Sequence, residues 1–459
     1  MDSNVFQEHN PWWRRPEFIL EDSFVADLER QRYPFHHPLY SSLPVDKDGI
    51  LTLRGPRRIG KTTLLKLLIK RLLMQEKVAK ENVFFFPCDT IRDYKELEEL
   101  LTSYLNYARP GSQGRVFIFL DEISFVKEWQ RAVKFLADAG KLNNSLVLIT
   151  GSNILDLKYS AERLPGRRGE IFPWDVTFLP LTFREFIALL KPQLLSDPLK
   201  VSLALLPHFR KLFLDYLICG GFPVTINEYI TKGYLSSQTY EIFLAWIEGD
   251  LHRAGKSENF AYQIIRRLFA HLTSATSFYK LSRESGIASH TTVEEYLDIF
   301  EKTFIALRLP FFSLEQKQVL FRKNSKIYFA DPFVLNCLKA KTEGFSQNAF
   351  SHTRDFVSSA ANLPALMENA ISAHLCRNFS PLYFGRAGND REIDFVGFKE
   401  GRFSYFEVKY QKKVDAEEFS WSTKILGRDK LTVLCRNDYE EGKISLLPAE
   451  MFLAYYPGR

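Results

Sequence analysis

The chain predicts an α/β fold built on a parallel sheet, and three observations carry that expectation. A glycine-bounded loop, Gly55-Pro56-Arg57-Arg58-Ile59-Gly60-Lys61-Thr62-Thr63, lies between the short apolar run Ile50–Leu53 and the helix-forming run Leu64–Leu68. Three further apolar runs, Val83–Phe86, Val116–Leu120 and Leu146–Ile149, end on polar residues: Cys88-Asp89, Asp121-Glu122 and Thr150-Gly151-Ser152-Asn153. Continuous apolar runs separated by helical segments are the pattern of a parallel sheet buried on both faces. A second α/β constellation stands near the carboxyl end, with Glu368 on a helical run and Asp394, Glu407 and Lys409 on strand-like runs.

Each element of the first constellation has a chemical reading. Strand, glycine turn and helix are the context of a phosphate-binding loop. Gly55 and Gly60 let the backbone curl so that successive N–H groups point at the β- and γ-phosphates, and the new helix aims its positive end at the same anion. The whole run Gly55–Thr63 is the expected cradle for ATP, with Lys61 neutralising phosphate charge and the Thr62 hydroxyl coordinating Mg²⁺. Ligands of such sheets bind at the carboxyl ends of the strands. There Asp121 is placed to hold Mg²⁺ through its waters, and Glu122 to orient and deprotonate the attacking water. Ser152 or Asn153, at the next strand end, offers a hydrogen bond to the γ-phosphate. The basic loop Arg163–Glu170 has two readings that stand side by side. An arginine from it reaches the γ-phosphate, in cis or from a neighbouring copy in a homo-oligomer, or its arginines pair with surface carboxylates.

The bulk of the chain bounds these readings. At 459 residues it is too long for one ordinary core. Hydrophobic residues at 46% and charged residues at 25% exclude a disordered chain. The formal charge of +6 permits a nucleic-acid partner without requiring one. The cysteines (Cys88, Cys219, Cys337, Cys376 and Cys435) are scattered, which argues against a disulfide framework or zinc site and for a cytoplasmic setting. No apolar run approaches the roughly 20 residues that span a bilayer, so no membrane is expected.

Several motifs occur in order: the loop Gly55–Leu65, Phe119-Leu120-Asp121-Glu122, Thr150–Asn153, Leu164–Arg168, Leu179–Phe186 and Gly220-Gly221-Phe222-Pro223. Together they resemble the AAA-type prokaryotic ATPases that carry a C-terminal nuclease-like domain. The resemblance implies a sheet of the additional-strand, catalytic-glutamate kind over residues 1–180, followed by a helical lid over 181–269. It carries the family's functional positions onto Lys61, Thr62, Asp121 and Glu122, with Arg167 the nearest match to its Gly-Arg element.

Beyond the lid, 270–338 reads as a winged helix. Phe278–Ser285 is its first helix, Gly286 the turn and His290–Phe300 the second helix; Phe304–Leu309 and Lys326–Phe329 are candidate wing strands. Glu294, Glu295 and Asp298 on the second helix depart from a DNA reader, although Ser289, His290 and Thr291 stand where such helices enter the groove. DNA binding and protein packing both remain open. Residues 339–362 are polar and aperiodic and read as a linker.

From 363 to 459 the order of a helical Glu368, a strand Asp394 and the strand Glu407-Val408-Lys409 is the pattern of the PD-(D/E)xK, restriction-endonuclease-like fold. That chemistry gathers carboxylates on a divalent metal, Mg²⁺ or Mn²⁺, which polarises the scissile phosphate, beside a lysine that serves the water. Asp394 and Glu407 are the expected main ligands, Glu368 a ligand or water bridge, and Lys409 the basic partner. The composite expectation is an ATPase acting on DNA with a coupled nuclease-like domain. The alternative is a nucleotide-switched interaction protein whose C-terminal domain binds without cleaving. At the amino end, Asn10-Pro11-Trp12-Trp13 is expected to pack on the ATPase core, with base stacking as the other option.

Overall fold

The computed structural model describes residues 3–108, 114–151, 166–170, 172–196, 203–320, 324–388 and 391–456. The chain divides into two compact units, Met1–Leu179 and Pro180–Arg459.

The first unit is built on five strands: β1 (Gly49–Arg54), β2 (Val83–Pro87), β3 (Val116–Asp121), β4 (Ser145–Gly151) and β5 (Asp175–Thr177). Their order is β2-β3-β4-β1-β5, parallel throughout. The apolar runs are buried on both faces because helices Lys61–Met74, Tyr94–Ala108 and Trp129–Asp138 set Leu65, Leu68, Leu101, Tyr104, Val133 and Leu136 into the core. β4 lies between β1 and β3, so the loop after β1 and the carboxylates after β3 flank one extra strand.

β2 is a sheet edge, and the amino-terminal segment closes it. The Asn10 amide donates to the Phe85 carbonyl at 3.0 Å and its oxygen accepts from the Phe85 N–H at 2.7 Å, as a neighbouring strand would. The indoles of Trp12 and Trp13 both donate to the Val83 carbonyl, at 3.0 and 2.9 Å. Unpaired edge groups are thereby satisfied. Both tryptophans are buried, which decides for packing over base stacking.

The second unit opens with helices Phe183–Leu190, Leu206–Cys219, Pro223–Lys232, Ser237–Arg253 and Glu258–Ala270. The Gly220-Gly221 stop has a packing reason. Gly220 is left-handed at φ +65°, and a Cβ on it would stand 2.2 Å from Asp331 Oδ1. The Gly221 N–H donates to the other Asp331 oxygen at 2.8 Å. Helices Phe278–Ser285 and His290–Lys302 follow, joined through left-handed Gly286.

The remaining strands are β6 (Ala306–Leu309), β7 (Phe311–Ser313), β8 (Gln318–Val319), β9 (Lys326–Phe329), β10 (Leu382–Ala387), β11 (Arg391–Lys399), β12 (Arg402–Lys409), β13 (Leu431–Cys435) and β14 (Ile444–Pro448). β6 and β9 form an antiparallel pair. β7 and β8 instead extend a seven-stranded sheet of order β14-β13-β12-β11-β10-β7-β8. The stretch between the two expected wing strands therefore lends two strands to the C-terminal sheet.

The expected linker is a correction. Residues 339–362 hold the end of helix Pro332–Thr342 and all of helix Ala349–Ser358. Ala349, Thr353 and Val357 are buried, and the Thr353 hydroxyl bonds Tyr240 at 2.9 Å. A polar, aperiodic stretch hides a helix here because only one narrow stripe of it meets the core.

Candidate nucleotide site and a second carboxylate cluster

The loop after β1 is shaped by its glycines. A Cβ on Gly55 would stand 2.2 Å from the Phe178 carbonyl oxygen, so only glycine lets the chain pass there. Gly60, at φ +99°, is the left-handed residue from which helix Lys61–Met74 starts. Ile59 is buried and anchors the loop, Pro56 is also buried, and Arg58 is exposed. Lys61 Nζ donates to the carbonyls of Gly55 and Pro56, each at 3.0 Å, and lies 3.7 Å from Glu122 Oε1. An ammonium resting on its own loop marks the place where a phosphate would take over those contacts.

Across from the loop, the Thr62 hydroxyl donates to Asp121 Oδ2 at 2.6 Å. Asp121 is buried, and burial raises its carboxyl above the ordinary range, opposed by the hydrogen bonds from Thr150 and Thr62. Glu122 follows in the left-handed region at φ 51°, which turns its side chain away from the strand direction. The Thr150 hydroxyl joins the Asp121 carboxylate to the Glu122 backbone: it bonds Asp121 Oδ1 and accepts the Glu122 N–H at 3.0 Å. Thr150 is fully buried at the end of β4, the strand between β1 and β3. It is a positioning residue that the sequence reading passed over in favour of Ser152; its signal was a strand-end hydroxyl level with Asp121. Ser152, Asn153 and Arg163 lie outside the described residues.

Arg167 is placed by the topology. Its guanidinium pairs with Asp138 at the end of helix Trp129–Asp138. Gly169 bridges Gly49, the first residue of β1, and the Ile50 N–H donates to the Arg168 carbonyl at 3.1 Å. The Gly-Arg element thus sits at the amino edge of the sheet. The loop Gly55–Thr63 is at the carboxyl edge, about 20 Å away along β1 at ~3.3 Å per residue. A cis role for Arg167 at its own chain's loop is therefore ruled out by reach. Its neighbour Arg168 is buried and clasps Asp175 at 2.8 Å and Thr52 at 3.1 Å, tying β5 to β1.

In the second unit Glu368, Asp394, Glu407 and Lys409 do converge, and a fifth residue joins them. Lys326, the first residue of β9, sets its ammonium 2.6 Å from Asp394 Oδ1, 2.8 Å from Glu392 Oε1 and 3.2 Å from Glu368 Oε1. Tyr328, two residues on and therefore on the same strand face, donates to Glu368 Oε1 at 2.5 Å. Asp394 Oδ2 accepts the Val408 N–H at 2.8 Å. Glu407 Oε2 accepts the Asp394 N–H at 3.1 Å, while its other oxygen meets Lys409 at 3.0 Å. Glu392 is also held by Arg386 at 2.5 Å.

Burial, then the charge of Asp394, push the Glu368 and Glu407 carboxyls above the ordinary carboxylate range, opposed by Lys326 and Lys409. Burial pulls the Lys326 ammonium down, but Asp394, Glu368 and Glu392 prevail and raise it above its ordinary value. Among the described residues no group of three or more His, Cys, Asp and Glu is disposed to hold a metal ion. The sequence reading gives Lys326–Phe329 only as a candidate wing strand and gives Glu392 no role in the cluster, because nothing in that run signals a partner some 40 residues downstream.

Comparison with known proteins agrees with the first unit and is silent on the chemistry of the second. Residues 47–187 match a family described as an AAA domain. Residues 210–345 and 364–452 match two domains of unknown function, DUF8612 and DUF4143. An uncharacterized protein of Haemophilus influenzae is 26% identical over 87% of this chain and 92% of its own length. An uncharacterized protein of Methanocaldococcus jannaschii is 24% identical over 89% of this chain and 87% of its own. Among solved structures, a Walker-type ATPase of Pyrococcus abyssi aligns over 67% of this chain and 97% of its own at 15% identity and a TM-score of 0.45. The Aeropyrum pernix ORC1 protein in complex with DNA aligns over 75% and 98% at 13% identity and a TM-score of 0.31. The matched family, the parallel sheet and the Lys61–Thr62–Asp121–Glu122 arrangement together make residues 47–187 an AAA-type P-loop ATPase domain.

Proposed function

We propose that the protein is a Mg²⁺-dependent ATPase that acts on DNA as a nucleotide-driven switch. The observation that carries this reading is the convergence of Lys61, Thr62, Asp121 and Glu122 at the carboxyl edge of one parallel sheet, with Thr150 holding the Asp121 carboxylate and the Glu122 backbone. In this reading the N–H groups of Gly55–Thr63 receive the phosphates, and Lys61 exchanges its two carbonyl contacts for phosphate oxygens. The donor set, a threonine hydroxyl beside a carboxylate, is hard oxygen and suits Mg²⁺. Thr62 and Asp121 are the residues that would hold the ion, which when bound would neutralise charge on the phosphates. Glu122 aligns the attacking water and takes its proton. Arg167 serves the nucleotide of a neighbouring copy in a homo-oligomer, and Ser152 senses the γ-phosphate.

The DNA part rests on the helix pair Phe278–Ser285 and His290–Lys302 with the β6–β9 pair behind it, an arrangement that supports a winged helix. Lys280, Arg283, His290 and Thr291 are exposed on it. In the C-terminal part, helix Leu363–Asn378, the antiparallel meander β10-β11-β12, helix Ser420–Leu426 and β13 parallel to β12 support a nuclease-like fold. Exposed Glu294 and Glu295 favour a second reading, in which the same ATPase switches an interaction platform and DNA plays no part.

ATP turnover in Mg²⁺, with and without duplex DNA, tests the proposal. Wild-type protein is expected to turn over ATP faster with DNA, Lys280→Glu/Arg283→Glu to lose the stimulation, and Glu122→Gln to bind ATP without hydrolysing it. Turnover indifferent to DNA leaves the interaction reading; undiminished turnover in Glu122→Gln overturns the catalytic assignment.

A further inference from the structure

The C-terminal carboxylates form the constellation expected of a metal-dependent phosphodiesterase, yet each of them already bonds donors of the protein itself. Lys326 stands within 3.2 Å of three carboxylates and its side chain is 1% exposed. Its ammonium lies against Glu368 Oε1 and Asp394 Oδ1 together, and sets a positive charge beside the oxygens that a divalent ion would need. The second Asp394 oxygen is taken by a backbone N–H, and both Glu407 oxygens are engaged by the Asp394 N–H and by Lys409.

The lysine is pinned rather than resting. Its residue pairs with β6 through Leu309, and the adjacent Ser325 exchanges both backbone hydrogen bonds with Thr276 at 2.9 Å. Two and three residues on, Tyr328 bonds Glu368, and Phe329 exchanges N–H and carbonyl bonds with the Asn369 side chain at 2.8 and 3.0 Å. Asn369 neighbours Glu368 on helix Leu363–Asn378, so the strand that carries the ammonium is fastened to the helix that carries the carboxylate. Withdrawing Lys326 to admit a metal would break this set and strand an ammonium in a dry interior, a costly step.

We propose that Lys326 is a built-in counter-ion that takes the place of the divalent metal, leaving the C-terminal domain a metal-independent, non-cleaving module whose carboxylates fasten β9 to the C-terminal sheet and helix. A nuclease-like site has in this way become an internal ionic joint between the β6–β9 segment and the C-terminal sheet. The inference rests on the cluster alone, and it stands or falls independently of the ATPase and DNA readings.

The test is thermal melting of the nucleotide-free full-length chain with and without millimolar Mn²⁺. Wild-type protein is expected to melt at the same temperature in both. Lys326→Met is expected to melt several degrees lower, and the double variant Lys326→Met/Asp394→Asn to regain part of the loss, because it removes the carboxylate that the lysine neutralised. Folding of the double variant where Lys326→Met alone fails to fold gives the same answer. The proposal is overturned if Mn²⁺ raises the wild-type melting temperature and Asp394→Asn abolishes the shift. Wild-type DNA cleavage that needs Mn²⁺ and Asp394, or a Lys326→Met protein that melts like wild type, overturns it equally.

Discussion

The two halves of this chain each bring a lysine up to a cluster of carboxylates, and they do opposite things with it. At the nucleotide site Lys61 leans on two backbone carbonyls and stands 3.7 Å from Glu122, contacts that a phosphate can take over. In the C-terminal cluster Lys326 is locked against three carboxylates and its strand is tied down on both sides. The residue types are the same. What differs is whether the cation is borrowed from a loop that a ligand can reshape or from a strand inside the core. Charge clusters at a helix or strand end are thus poor guides to chemistry until the neighbours of each lone pair are counted.

The comparison can be broken first at its open side. Lys61→Ala removes the phosphate partner and is expected to abolish ATP binding and turnover, read by nucleotide binding and phosphate release. Glu122→Gln keeps the loop and removes the base: turnover falls by about 10²–10⁴-fold while ATP affinity is retained. A variant that loses affinity and turnover together would place Glu122 in binding instead.

Acid is expected to weaken the second unit. His374 lies in the second unit, fully buried, with Nε2 accepting the Phe183 N–H at 2.7 Å and Nδ1 2.7 Å from the Ala370 carbonyl. Only the neutral Nδ1–H tautomer satisfies both contacts. Burial first, and then Arg377, bring its value down to about 3. The unfolded chain, titrating near 6.5, binds the proton first, so this stability is present above pH 6.5 and is lost as the pH falls towards 3. The unit Pro180–Arg459 should lose roughly 3 kcal/mol between pH 7 and pH 4 from this residue. Denaturant unfolding across that range checks it; His374→Gln should remove this part of the slope, and an unchanged slope would contradict it. The smallest effect belongs to Thr150. Thr150→Val should lower kcat about tenfold with the KM for ATP unchanged, and Thr150→Ser should restore it, because the hydroxyl positions Asp121 and Glu122 without touching ATP.

Much of the first unit was legible in the sequence. The loop Gly55–Thr63 and the strand-end pair Asp121-Glu122 are local signals, because consecutive residues do the chemistry and the flanking runs fix their geometry. Thr150 was within reach, since strand ends in a parallel sheet are level with one another. Arg167 shows where such reading stops: its loop is recognisable, but the bridge from Gly169 to Gly49 sets it at the far edge of the sheet. Helix Ala349–Ser358 escaped because its buried stripe is only Ala349, Thr353 and Val357. The C-terminal cluster was half legible. Glu368, Asp394, Glu407 and Lys409 follow from order and period; Lys326 comes from a segment whose partners no local pattern announces.

The most direct test of the contrast between an open and a closed site is a count of Mn²⁺ bound per wild-type chain, by electron paramagnetic resonance, with and without a non-hydrolysable ATP analogue. An open nucleotide site beside a closed C-terminal cluster predicts one ion with the analogue and none without it. An ion held without nucleotide and released by Asp394→Asn would contradict it.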